Sequence, residues 1–252
     1  MNSNSRIQRL PIYTAILATV LVAPSLMDPF NLPKLWILSV GAGLTCAIFL
    51  TQILNLWHRH RRSPLVFSGI FIFSLFLTSI ASQQSLYRTL VGTWNRNNGT
   101  LSYLCLLVIF LSLASVSSKD ISNFLIFSLT VLGLLGATYG WMQKSGIDPI
   151  SWDNAGNKII LTLGNSNFAS AFLGLTAIAT LTYVLKEMVA NHVYNFIFSS
   201  SCTVYGQAEK MPITEDAPIQ TALSPYGNTK QIGEEIITDT SKVVNTLNSL
   251  CI

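Results

Sequence analysis

The sequence predicts a mainly α fold in two parts: a polytopic transmembrane helix bundle of about six spans, then an incomplete α/β fragment of Rossmann type. Three observations predict it. Half of the 252 residues are hydrophobic and only 10% are charged, against about 25% in ordinary soluble domains. The apolar residues gather into six runs. The charge also changes sign along the chain. Residues 1–185 carry eleven Lys and Arg against four Asp, net +7, while residues 186–252 carry four against seven Asp and Glu, net −3.

A spanning helix needs about 20 mostly apolar residues. The runs at 12–27, 35–57, 65–81, 100–117, 121–141 and 168–185 are the candidates. The first holds Pro24 and follows Arg6 and Arg9, a pattern shared with signal peptides; five further runs favour an anchor. Lys and Arg in short loops set orientation. His58-Arg59-His60-Arg61-Arg62 is the strongest inward signal, and Arg6 and Arg9 agree with it. Both termini are therefore expected in the cytoplasm, with loops 28–34, 82–99 and 142–167 facing outward. Arg88 and Arg96 break this pattern, either as simple exceptions or as partners for an anionic ligand.

Several classes are excluded. No basic, aromatic-interleaved face suggests a nucleic-acid partner. Cys46, Cys105, Cys202 and Cys251 fit neither a zinc site nor a disulfide framework, and His58, His60 and His192 form no ligand set, so no metal is expected. Gly41-Ala42-Gly43 sits in an apolar run with no preceding strand and no acidic residue about 20 positions on, so it is no dinucleotide fingerprint. Gly133, Gly136 and Gly140 read as points of close helix approach.

The loops carry more information. They are Asp28-Pro29-Phe30-Asn31-Leu32-Pro33-Lys34, then Trp94-Asn95-Arg96-Asn97-Asn98-Gly99, then Tyr139-Gly140-Trp141-Met142-Gln143-Lys144-Ser145-Gly146, then Leu163-Gly164-Asn165-Ser166-Asn167. In order and spacing they resemble the N-terminal half of the O-antigen ligase family, over roughly residues 10–180. The resemblance implies an integral protein of the bacterial inner (cytoplasmic) membrane in cell-surface polysaccharide metabolism, with a lipid bilayer around it and a polyprenyl-diphosphate-linked glycan as substrate. That family's catalytic loop and histidine follow later in the chain. Nothing after the sixth run supplies them here, which implies that no glycan transfer takes place.

The texture changes near residue 184, which divides the chain into regions 1–183 and 184–252. Residues 193–198 read as a buried strand and residues 226–247 as a helix. Tyr226 and Lys230 are four apart, so a helix puts them on one face. An ammonium beside a phenol favours the phenolate, and a tyrosine so placed can act as a general base toward a sugar hydroxyl. Ser201, upstream at the strand end, can hydrogen-bond the same hydroxyl.

Asn195-Phe196-Ile197-Phe198-Ser199-Ser200-Ser201, Val204-Tyr205-Gly206 and Ser224-Pro225-Tyr226-Gly227 resemble the UDP-glucose 4-epimerases, within the extended short-chain dehydrogenases. The resemblance implies a nucleotide sugar as substrate and NAD as cofactor. It makes Ser201 the group that positions the sugar hydroxyl and Tyr226 the acid–base. Lys230 then tunes Tyr226 and binds the nicotinamide ribose. The glycine-rich turn for the NAD pyrophosphate is missing from the sequence, and the chain is expected to stop before the next strand. About 67 residues with one strand and one helix cannot bury enough surface to stand alone. The sequence therefore reads as a chimeric or truncated membrane protein, joined at about 178–187, with both parent activities incomplete. The alternative is an NAD-dependent nucleotide-sugar epimerase using Ser201, Tyr226 and Lys230.

Overall fold

The computed structural model describes residues 3–57, 62–93, 96–116, 118–152, 158–207, 212–214, 217–244 and 248–251. Most of the basic loop at 58–62, Trp94, Asn95, Asp153 and residues 215–216 lie outside them. The protein is mostly helical: α1 (Ser3–Gln8), α2 (Leu10–Val20), α3 (Asn31–Asn55), α4 (Ser63–Ala81), α5 (Leu86–Val91), α6 (Thr100–Ser115), α7 (Lys119–Lys144), α8 (Ser166–Ala190), β1 (Asn195–Phe198), α9 (Pro225–Val244) and β2 (Asn248–Cys251). It divides into two compact units. One is residues 1–128 with 138–169; the other is 129–137 with 170–252.

Each of the six apolar runs contains a helix, but among the described residues only α3, α4, α7 and α8 are long and apolar enough to cross a membrane. The expected first span is the main correction. Helix α2 has 11 residues, a rise of about 16 Å against a hydrocarbon core of about 30 Å. It stops because Leu21 turns extended ahead of Pro24, and a hairpin closes through Ala23 N–H donating to Pro29 O at 2.9 Å. Helix α6, with 16 residues, is also short. The expected 82–99 loop contains α5.

In the first unit α3 packs on α2 and α6. Gly41 gives Thr14 of α2 room against α3, and Ala42, Cys105 and Ile109 form a small core with Leu38, Val108 and Leu113. Helix α4 differs: Ser68 is its only buried residue.

The second unit holds a parallel pair, β1 and β2, in register from Asn195 opposite Asn248 to Phe198 opposite Cys251. Parallel strands need a crossover, here α9. This corrects the expectation that the chain stops short of a second strand. The fragment also acquires a core. Ile237 is 0% exposed and Leu185 2%, with Leu181, Met188, Phe196, Phe198, Ile236 and Val244 around them. The C-terminal half of α8 therefore supplies the layer that the 67 residues lack. Helix α8 runs unbroken through the expected join at 178–187, and a Cβ on Gly133 would lie 2.6 Å from Thr176, so α7 and α8 touch closely there.

Candidate functional site

The site is built at the C-terminal end of β1 and the first turns of α9. After Phe198 the chain enters Ser199-Ser200-Ser201 and tightens into a 3-10 turn, Cys202–Tyr205. Ser201 caps that turn: its Oγ accepts from Thr203 N at 3.4 Å and from Thr203 Oγ1 at 3.0 Å. Val204 is buried beneath it. Gly206 ends the turn at φ +58°, where a Cβ would lie 2.6 Å from Thr221 O; only glycine meets both demands cheaply.

Helix α9 begins by the usual rules. The Ser224 hydroxyl accepts from Gly227 N–H at 3.0 Å, a side-chain N-cap, and Pro225 takes the first helical position. Tyr226 is 58% exposed. Lys230, one turn on, places Nζ 5.6 Å from the Tyr226 ring centroid and 5.0 Å from that of Phe198. It donates to Ser199 O at 2.7 Å. Lys230 thus joins the face of Tyr226 to the strand end that carries Ser201, while the Ser201 hydroxyl is engaged by Thr203.

Two further side chains clip this turn to α9. Ser200 Oγ donates to Glu234 Oε1. Gln231 Nε2 donates to Val204 O at 2.7 Å and also to Gln220 O. Sequence reading missed both. Residues 230, 231 and 234 cover one turn of α9, and that periodicity, set beside three consecutive serines, was the available signal.

The loop motifs of the N-terminal region also meet, within the first unit. Asp28 is 6% exposed. Its Oδ1 accepts from Asn31 N at 2.9 Å and its Oδ2 from Asn97 Nδ2 at 3.0 Å. Lys34 Nζ donates to Thr162 O at 2.6 Å. Gln143 Oε1 accepts from Ile160 N and Leu161 N, while its Nε2 donates to Asp148 at 3.0 Å. Tyr139 donates to Asp148 and accepts from Trp152 Nε1, and Trp152 lies 4.7 Å from Phe30. Among the described residues no group of three or more His, Cys, Asp or Glu is placed to hold a metal ion.

The class of protein that the C-terminal site resembles is shown by comparison: residues 165–248 match the NAD dependent epimerase/dehydratase family. The matched range begins at the start of α8. Among individual relatives, the putative UDP-arabinose 4-epimerase 2 of Arabidopsis thaliana is 51% identical over 59 residues, covering 23% of this chain and 14% of that protein. The UDP-glucose 4-epimerase of Drosophila melanogaster is 46% identical over 59 residues, 23% and 17%. That of Haemophilus influenzae is 43% identical over 65 residues, 26% and 19%. The chain thus spans a fifth or less of the curated relatives it matches. No solved structure matches it.

NAD is the cofactor that the matched family names. The only Gly-x-Gly of the sequence, Gly41-Ala42-Gly43, lies inside α3, where Gly41 is filled by the Thr14 side chain, whereas a dinucleotide turn must join a strand to a helix N-terminus. Gly41-Ala42-Gly43 is therefore not such a turn.

Proposed function

We propose that the C-terminal segment is the acid–base half of a UDP-sugar 4-epimerase site, carried on a membrane-embedded helical base. The observation that supports this reading is the placement of Lys230, which bridges the Tyr226 ring and the carbonyl of Ser199, two residues before Ser201. In this arrangement Tyr226 receives the proton of a sugar hydroxyl, Ser201 exchanges Thr203 for that hydroxyl and orients it, and the Lys230 ammonium stabilises the phenolate. Hydride transfer lies outside what these residues supply. The chain alone is therefore expected to purify without NAD and to leave UDP-galactose unconverted. The test is chain purified in detergent, read for bound dinucleotide by absorbance and fluorescence, then assayed for UDP-galactose to UDP-glucose conversion with added NAD. Bound NAD, or turnover that Tyr226→Phe abolishes, would replace the half-site by a complete epimerase.

A second reading concerns the N-terminal region. The loops that resemble the O-antigen ligase family converge through Asp28 with Asn97, Lys34 with Thr162, and Gln143 with Leu161. This favours an integral protein of a bacterial inner membrane, with a polyprenyl-diphosphate-linked glycan as the parent family's substrate. Reporter fusions at the two termini test the topology. Continuous sequencing reads through codons 175–190 in independent isolates distinguish a genuine fusion from a faulty join.

A further inference from the structure

Helix α4 presents Phe73, Phe76, Leu77 and Ile80 at 50–62% exposure, and only 6% of its apolar window is buried. The chain leaves α4 at Ala81. After four polar residues, α5 begins with Leu86 at 75% and Tyr87 at 62% exposure, followed by Leu90 at 44%. Leu86 and Leu90 are one turn apart and share a face. Tyr87 and Val91 occupy the neighbouring face and line a cavity of about 230 Å³ with Leu26 and Met27 of the hairpin and Leu32 of α3. Met27, on that hairpin, is 87% exposed. Arg88 lies on the remaining side, exposed, with Nη1 3.5 Å from Gln84 Oε1.

This shelf is held in place. Thr100 Oγ1 donates to Thr89 O at 3.0 Å and Gly99 N–H to Val91 O at 3.1 Å. Gly92, at φ +96°, lets residues 98–99 pass so closely that a Cβ would sit 2.6 Å from Asn98 N. Asn97 ties the hairpin to the same turn through Asp28. Six residues cannot cross a bilayer, yet this tethered element exposes its large apolar side chains four residues beyond the end of α4.

We propose that α5 and the tip of the 21–30 hairpin form a shelf lying in the headgroup–acyl boundary of a lipid bilayer. Leu86, Leu90 and Met27 enter the acyl region, Tyr87 stands at the boundary, and Arg88 lies beside the lipid phosphates, an arrangement open to amphipathic surface helices. The occupant is the lipid that covers α4, because α5 begins only four residues after that candidate span ends; the proposal rests on the membrane reading of α4. It also gives the outward Arg88 a role.

The test uses the full chain with its four cysteines changed to serine, carrying a nitroxide on Phe73→Cys, Leu86→Cys or Arg88→Cys. It is reconstituted in phosphatidylcholine–phosphatidylglycerol vesicles, and collision with oxygen is compared with collision with a water-soluble nickel chelate. The expected result is loss of nickel accessibility at Phe73→Cys and Leu86→Cys, with Arg88→Cys retaining more. A lipid-exposed Phe73→Cys with a nickel-accessible Leu86→Cys overturns the shelf alone, as does a Leu86→Cys label shielded from both reagents by protein. A nickel-accessible Phe73→Cys overturns the membrane reading and the shelf with it. The unmodified chain in nanodiscs gives a check free of variants. Tyr87 and Tyr226 are almost equally exposed, 62% and 58%, so lipid cover protects Tyr87 from hydroxyl-radical oxidation and leaves Tyr226 reactive; equal reactivity overturns the shelf.

Discussion

Helices α4 and α9 have 19 and 20 residues and opposite surfaces. Helix α9 buries one stripe, with Gly233 and Ile237 one turn apart, and exposes Glu235, Thr238 and Asp239. Helix α4 exposes Phe67, Ile70, Phe73, Phe76 and Ile80 and buries Ser68. An amphipathic stripe is what a helix needs between a protein core and water, whereas a helix apolar all round belongs in a large core or a membrane. Little protein covers α4. The difference teaches that two helices of nearly equal length in one chain expose surfaces of opposite character, polar on α9 and apolar on α4.

Substitutions can break or sharpen this contrast. The largest effect is expected at Ile237, fully buried between α8 and β1. Ile237→Ala should destabilise the second unit by about 2–5 kcal/mol, seen as faster hydrogen exchange over residues 195–244 with α4 unaffected. Phe73→Lys should reverse that pattern. It leaves exchange in α9 unchanged and disfavours membrane insertion of α4 by about 3 kcal/mol, read with a glycosylation reporter in microsomes. Gly233→Ala comes next. Its Cβ would lie 2.8 Å from Phe198 Cζ, and such overpacking costs about 1–3 kcal/mol, visible as a lower denaturation midpoint. The smallest effect is expected at the exposed Lys242–Asp239 pair, 3.3 Å apart. Lys242→Ala should shift stability by no more than about 0.5 kcal/mol, within the scatter of the same measurement.

Legibility in the sequence followed the range of the forces involved. Hydropathy located all six apolar helices, but it did not show that the first stops at Val20, because Leu21 and Val22 remain apolar while Pro24 and the Asp28 hairpin decide the end. Helix α5 escaped notice because six residues hold too little periodicity. Strand β2 was missed because Asn248-Ser249-Leu250-Cys251 has no β-branched residue; its pairing with β1 makes it a strand. At the site, the shared face of Tyr226 and Lys230 followed from spacing alone. The contacts of Lys230 with Ser199 and of Glu234 with Ser200 cross 31 and 34 residues, and no local pattern announces them. The packing of α8 against α9 was hidden for another reason: Leu181 and Leu185 have the same hydropathy whatever lies against them.

Helix α8 imposes one more condition. Thr176 meets Gly133 of α7, and Leu185 meets Ile237 of α9. Nine positions separate them, about two and a half turns and about 13.5 Å along the axis, so the two contacts lie on opposite sides of one rod. Adding or removing a single residue between them rotates one end against the other by about 100°, and then both contacts cannot be kept. A splice within this stretch that preserves the reading frame can still be mechanically out of phase. A single-alanine insertion after Ala179 should uncouple the two halves as effectively as a change to either partner.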